Sequence, residues 1–121
     1  MKALFDTNII IDFLANRSEA FLEADRYSVH AISRVTWIEV LVGADGLATA
    51  LGFKDFMRRF EIIELDPAVA QLTVAIRREH RLKLPDAIVW ASAQHTNALL
   101  VTRNTKDFPE DEPSIRFPYK V

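Results

Sequence analysis

The chain has 121 residues, half of them hydrophobic and 26% charged, the balance of a globular protein that buries about two-thirds of its unfolded surface and not of a disordered one. Fifteen Lys and Arg against 17 Asp and Glu leave a formal charge of −2, which excludes a polyanion binder working by bulk electrostatics while leaving room for a local basic stripe. The absence of cysteine excludes a disulfide framework, a thiolate zinc site and a cysteine nucleophile, and is compatible with a reducing cytoplasm.

Read in chain order, strand-like and helix-like stretches alternate with no Gly/Ser/Pro-rich linker and no internal repeat. This is the pattern of a parallel sheet covered by helices on both faces, in one domain spanning residues 1–121. The first strand is predicted over Lys2 to Phe5 and a helix from Asn8 to Leu14. The apolar runs here are broken by Asp6 and Asp12, so neither a signal peptide nor a membrane span is expected. A short helix follows from Ser18 to Asp25 with Ser18 as its cap, then a strand over Ser28 to Ala31. Ser33 caps a helix through Ala44, Gly46 to Phe60 forms another, and Glu61 to Leu65 is a short strand. Asp66 and Pro67 open a helix to Arg81, since Asp caps and Pro is preset for a first turn. Pro85 opens the next helix, to about His95, followed by a buried-type strand over Ala98 to Thr102. Thr105 to Phe108 is a turn, and Ile115 to Phe117 a last edge strand in a tail kept non-helical by Pro109, Pro113 and Pro118.

Acids stand where chemistry is expected. Asp6 ends the first strand, and the carboxyl ends of strands are where open α/β sheets bind ligands. An Asp there also serves as a helix cap, so position alone leaves both roles open. In the helix after Ser33, Val35, Ile38 and Val42 share a face, and a 3.6-residue period puts Glu39 on it, pointing toward the core. A buried unpaired carboxylate costs several kcal/mol, so Glu39 requires a cation, a hydrogen-bond partner or a raised pKa. Asp86 lies in the first turn of an apolar helix, and Asn104 just past the strand Leu99, Leu100, Val101. If the two strands are neighbours, these oxygen donors surround one crevice. Without a Cys or His cluster, they describe a site for Mg²⁺ or Mn²⁺. Such an ion suits phosphodiester hydrolysis, because it activates water and neutralises charge on the phosphate. His30, His80 and His95 lie at no metal-ligand spacing and are assigned surface or capping roles.

The stretches Phe5-Asp6-Thr7-Asn8, Thr36-Trp37-Ile38-Glu39-Val40-Leu41-Val42-Gly43, Leu84-Pro85-Asp86-Ala87-Ile88-Val89-Trp90-Ala91 and Leu100-Val101-Thr102-Arg103-Asn104-Thr105-Lys106-Asp107-Phe108 resemble, in order, the motifs of the PIN domain. Within that family, the chain resembles the VapC-type toxins of prokaryotic toxin–antitoxin pairs. The resemblance implies a three-layer α/β/α sandwich with a mainly parallel sheet, and endoribonuclease activity dependent on Mg²⁺ or Mn²⁺. It also implies a cytoplasmic homodimer inhibited by a VapB-like antitoxin that inserts a segment into the active-site groove. By position, Asp6, Glu39, Asp86 and Asn104 are the implied catalytic, metal-binding residues. Asn104 stands where many members have a fourth acid, which implies weaker binding of a second metal, and Asp107 lies one turn further on. Asn8 and Thr102, with Asp107, are the implied orienting residues, and Asn8 is also the expected local cap.

Arg103 is the expected phosphate contact, since its planar fork suits phosphate oxygens. The run Arg77, Arg78, His80, Arg81, Lys83 is either a guide for the RNA backbone or a solvated helix face, and Phe53, Phe56, Met57 and Phe60 are read as core, with a dimer or antitoxin groove as the alternative. A receiver-like phosphoryl-transfer domain is disfavoured, because paired acids after the first strand and a strand-final Lys are both missing. Two further alternatives stay within the PIN fold: a non-toxin RNA-processing nuclease, and an inactive RNA- or protein-binding module.

Overall fold

A computed structural model describes residues 1–121 and shows a five-stranded parallel sheet with helices on both faces. In chain order the elements are β1 (Lys2–Phe5), α1 (Thr7–Leu14), α2 (Ser18–Ala24), β2 (Val29–Ser33), α3 (Arg34–Val42), α4 (Leu47–Met57), β3 (Glu61–Ile63), α5 (Pro67–His80), α6 (Leu84–His95), β4 (Leu99–Val101) and β5 (Ile115–Arg116). The strand order is β3-β2-β1-β4-β5. The chain therefore builds outward from β1 in one direction and then crosses to its other side, so that the order reverses between β1 and β4. Parallel sheets open a crevice at such a reversal, at the carboxyl ends of the strands.

The sheet separates two apolar layers by simple alternation. Ala3 and Phe5 of β1 join Ile9, Ile10 and Phe13 of α1, with Met57 and Phe60, on one face. Leu4 points to the other face, where Val69 and Ile76 of α5 and the apolar stretch around Trp90 of α6 cover it. Because both faces are buried, β1 and β4 read as nearly continuous hydrophobic runs, as parallel strands do.

The elements occur where the sequence predicts them, with shifted ends. Asp66 caps α5 as expected, accepting from Val69 N at 2.8 Å. Ser18 does not cap α2; Arg17 occupies that position without a side-chain bond, and Ser18 is the first helical residue. β2 runs on to Ser33, whose hydroxyl also caps α3 by accepting from Val35 N at 3.1 Å. Helix α4 stops at Met57, short of Phe60, so that Met57 and Phe60 drop into the core from different elements.

Two buried carboxylates tie distant parts of this frame together. Glu23 of α2 takes both forks of Arg116 on β5, at 2.5 and 3.0 Å, and the hydroxyl of Tyr27 at 2.6 Å. Asp12 of α1 takes both forks of Arg103, at 2.6 and 3.0 Å, and the hydroxyl of Tyr119 at 2.7 Å. Both acids are at most 5% exposed, so each is expensive to leave unpaired. Arg116→Ala leaves Glu23 only the hydroxyl of Tyr27 and Arg26, whose Nε stands 3.8 Å away, and is expected to cost about 3 kcal/mol in urea unfolding; a loss below about 1 kcal/mol would mean that those two suffice for Glu23.

Candidate metal centre at the strand-order reversal

Asp6 follows β1 and sits at the reversal. Its extended backbone (φ −68°, ψ 162°) lets its N–H extend the ladder to Val101 O at 2.9 Å, while its C=O accepts from Ile9 N at 3.0 Å and begins α1. Its side chain reaches to both sides. Oδ1 accepts from Thr7 N at 2.8 Å, and Oδ2 accepts from the Thr102 hydroxyl at 2.7 Å and from Asn8 Nδ2 at 3.4 Å. Asp6 is therefore both the helix cap and the strand-end carboxylate. The capping role expected of Asn8 belongs to Asp6; Asn8 instead bridges, donating toward Thr102 Oγ1 at 3.3 Å and accepting from Arg103 N at 3.1 Å.

Glu39 lies at the crevice, but not for the predicted reason. The buried residues of α3 are Thr36 and Val40, whereas Ile38 is 49% and Val42 80% exposed, and Glu39 is exposed with them. Of the stripe predicted to face the core, Val35 packs against it but Ile38 and Val42 point outward, because the short helix meets the rest of the molecule along the Thr36–Val40 line. Glu39 is held at the rim by Thr7, whose hydroxyl donates to Oε1 at 2.6 Å and lies 3.1 Å from Thr36 Oγ1. Sequence reasoning passed over Thr7 and Thr36, and their one signal was a small hydroxyl on each of the two motifs that meet here.

Asp86, in the first turn of α6, is partly buried. Beside it, Asn104 and Asp107 hold each other: Asp107 N donates to Asn104 Oδ1 at 3.1 Å, and Asn104 Nδ2 donates to Asp107 Oδ2 at 3.0 Å. The carbonyl expected to face a metal thus already accepts a bond within the chain, and Asp107 is the carboxylate whose charge reaches Asp86. Arg103 also departs from expectation. Its fork, predicted to meet phosphate, is turned onto Asp12. The three histidines are elsewhere: His30 bonds the carbonyls of Ala24 and Tyr27, His80 lies on Trp90, and His95 faces Asp66.

Charge distinguishes this crevice from the rest of the molecule. Nine ion pairs form, and none includes Asp6, Glu39 or Asp86. Asp6 is as buried as Asp12 and Glu23, yet it alone of the three has no cation. Burial raises its pKa to about 6 against the hydrogen bonds from Thr102 and Thr7, with Asp86 and Glu39 adding repulsion. Burial also raises Asp86, followed by repulsion from Asp107 and Glu39, with Lys83 opposing. The side chains do not close into a preformed cage, and no three His, Asp or Glu meet at ligand spacing. The donor chemistry nevertheless fits a hard divalent cation: oxygen only, anionic and, apart from Lys83 near Asp86, uncompensated from within the chain.

Residues 3–110 match the family described as PIN domain. The chain belongs to the PIN domain family. Among solved structures, this PIN domain is similar to a chain of a toxin–antitoxin complex from Klebsiella pneumoniae, at 42% identity, with 98% of this chain and 99% of that one covered and a TM-score of 0.90. It shares its fold with chains of VapBC2 from Rickettsia felis bound to a promoter DNA fragment (22% identity, 95% and 96% covered, TM-score 0.80) and of DNA-bound VapBC from Salmonella typhimurium (24%, 96% and 96%, 0.77). Among curated proteins, none matches it. No helix of this PIN domain is long and apolar enough to cross a membrane.

The raised pKa of Asp6 has a consequence for stability. Unfolded, the carboxyl titrates near its ordinary 3.8; folded, it keeps its proton to about 6. Between those values the folded state binds more protons, so stability falls as pH rises through the window and the loss persists above it. In chelator, Asp6→Asn is expected to exceed the wild type by up to about 3 kcal/mol above pH 6 and to lose that advantage below about pH 4. Urea unfolding across pH checks this, and parallel curves for the two proteins would show that ionised Asp6 is not the source.

Proposed function

We propose that this PIN domain is an endoribonuclease dependent on Mg²⁺ or Mn²⁺, and the toxin of a toxin–antitoxin pair. One observation carries the catalytic reading: Asp6, as buried as the fully paired Asp12 and Glu23, has no cation of its own and gathers at the strand-order reversal with half-buried Asp86 and exposed Glu39, neither of them ion-paired. A stable fold gains nothing from such an arrangement unless a cation completes it. The proposed metal-binding acids are Asp6, Glu39 and Asp86. Asp107 is favoured over Asn104 as the fourth ligand, because Asn104 has its carbonyl on Asp107 N and so holds that carboxylate beside Asp86.

A divalent cation bound here supplies Lewis acidity, polarising the scissile phosphate and making water a better nucleophile at neutral pH. The residues of the chain prepare the place. Thr102 and Thr7 N hold the two Asp6 oxygens in fixed directions, Thr7 Oγ1 restrains Glu39, and Asn8 locks the start of α1 to the residue after Thr102. Orientation set in advance is what metal-assisted hydrolysis requires of its protein. Lys83 stands 3.9 Å from Asp107 and its charge reaches Asp86, and with the exposed Arg77, Arg78 and Arg81 that precede it in the chain it can steer a phosphate backbone.

The toxin assignment is supported by the 42% identical chain from a toxin–antitoxin complex. It is also supported by an apolar groove at the site. Ile11, Leu14, Val40, Gly43 and Phe53 line a cavity of about 200 Å³ that ends at Glu39. An antitoxin segment laid there would reach the acids. The remaining proposals are a homodimer, a cytoplasmic location and residues 1–121 acting as one folding unit. A PIN nuclease of RNA processing without an antitoxin is the second reading, since the same acids serve it.

Residues that only orient metal ligands typically cost 10–100-fold when removed, so a direct ligand sets the expected loss for Glu39→Gln at about 100-fold or more. Cleavage of single-stranded RNA by purified protein with Mg²⁺ or Mn²⁺, run beside an EDTA control and circular dichroism of the variant, checks it. Undiminished cleavage by Glu39→Gln, or by wild type in EDTA, would overturn the assignment.

A further inference from the structure

Beyond the acids, on the side of the reversal away from β2, the ends of β4 and β5 frame a cavity of about 540 Å³ lined by Arg103, Thr105, Phe117, Tyr119, Lys120 and Val121. Its size falls within the range of about 300–1,000 Å³ usual for small-ligand sites. Its walls are firm. Phe117 packs against the apolar layer under α5 and α6, Tyr119 packs against the layer under α1, and both rings stay partly open to the cavity. Tyr119 is fixed further by its hydroxyl on Asp12, and Arg103 by its fork on the same carboxylate.

The charge balance favours an anion. Arg103 is offset by Asp12, but Arg17 also stands 3.7 Å from Asp12, so two guanidinium groups share one acid. Lys120 is exposed and takes part in no ion pair, and no acidic side chain lines the cavity. The connection to the acids is short. Arg103 lines the cavity with its side chain, while its main-chain N–H bonds Asn8, which donates to Asp6. Two aromatic faces, a free lysine and a free hydroxyl on Thr105 are the ingredients by which proteins hold single-stranded nucleic acid.

We propose that this cavity is a nucleotide subsite, in which one base of the RNA strand stacks on Phe117 and Tyr119 while its phosphate meets Lys120 and Thr105. The inference rests on the ribonuclease reading and extends it, since it places the nucleotide beside the scissile linkage on the β5 side of the acids. It gives the C-terminal tail a part in binding substrate.

Titration of the ¹⁵N-labelled full chain with adenosine or uridine 5′-monophosphate in EDTA, followed by NMR, tests the subsite without turnover. Saturable shifts are expected at Arg103, Thr105, Phe117 and Lys120, with inorganic phosphate binding the same residues about tenfold more weakly because it has no base to stack. Phe117→Leu keeps the apolar volume and removes the ring, so it should weaken the nucleotide about tenfold and leave phosphate unchanged; Lys120→Glu should weaken both. Phosphate binding as tightly as the nucleotide, or nucleotide shifts at other residues or at none, would overturn the proposal even if wild type cleaves RNA. Nucleotide binding here by a protein that cleaves no RNA would uphold the subsite and remove the ribonuclease reading.

Discussion

The hydrogen bond from Thr102 to Asp6 joins the ends of the two strands between which the sheet reverses, and the arrangement of the molecule depends on it. Asp6 closes the ladder to β4 through its N–H, begins α1 through its C=O and Oδ1, and reaches Thr102 through Oδ2. One residue therefore fixes the angle at which α1 leaves the sheet and the direction of a carboxylate in the crevice. Because α1 carries Ile9, Ile10 and Phe13 into the core, a change in that angle would move an apolar layer as well as a functional group.

The cost of this arrangement is visible in the charge distribution. A buried carboxylate is tolerated when a guanidinium meets it, as at Asp12 and Glu23. Asp6 has hydrogen bonds only, and its pKa near 6 registers the difference. Hydrogen bonds from Thr102 and Thr7 reduce the penalty without removing it. The centre is therefore a place where stability is given up locally, and that is common where a site must attract something the chain does not itself contain.

Much of this was legible in the sequence. The alternation of short apolar runs with capped helices sets the α/β class, and Asp6 and Asp86 follow from their places at a strand end and a first helical turn. Glu39 stands at the rim of the crevice, but for another reason than the one periodicity offers. Periodicity ranks the faces of a helix by hydrophobicity, but α3 is apolar nearly all round, so contact with α1 and the sheet chose Thr36 and Val40 instead. The pairings that decide roles were not legible, because they join residues far apart in the chain. Asp12 meets Arg103 across 91 positions and Tyr119 across 107, and no local pattern relates such residues. Arg103 therefore read as a free phosphate ligand, when its fork was already engaged. Asn104 and Asp107 are only three positions apart, and there the obstacle was different: an Asn carbonyl offers equally to a metal and to a backbone N–H, so geometry alone assigns it.

The engagement of Arg103 bears on the centre itself. Its guanidinium belongs to the residue next to Thr102, and of all the cations in the chain it is tied most directly to the Asp6 network, through its own N–H on Asn8. A free fork at that point would be drawn to Asp6 and would neutralise it. Asp12, on the same helix and two turns away, takes both prongs, and Tyr119 adds a third bond to the same carboxylate. The ion pair thus performs two tasks: it ties the C-terminal tail to α1, and it keeps the neighbouring cation off the acids. The uncompensated charge at Asp6 then follows from a compensated one at Asp12, and the carboxylates at the cap and in the second turn of α1 form one electrostatic arrangement, one met by a guanidinium and the other by hydrogen bonds alone.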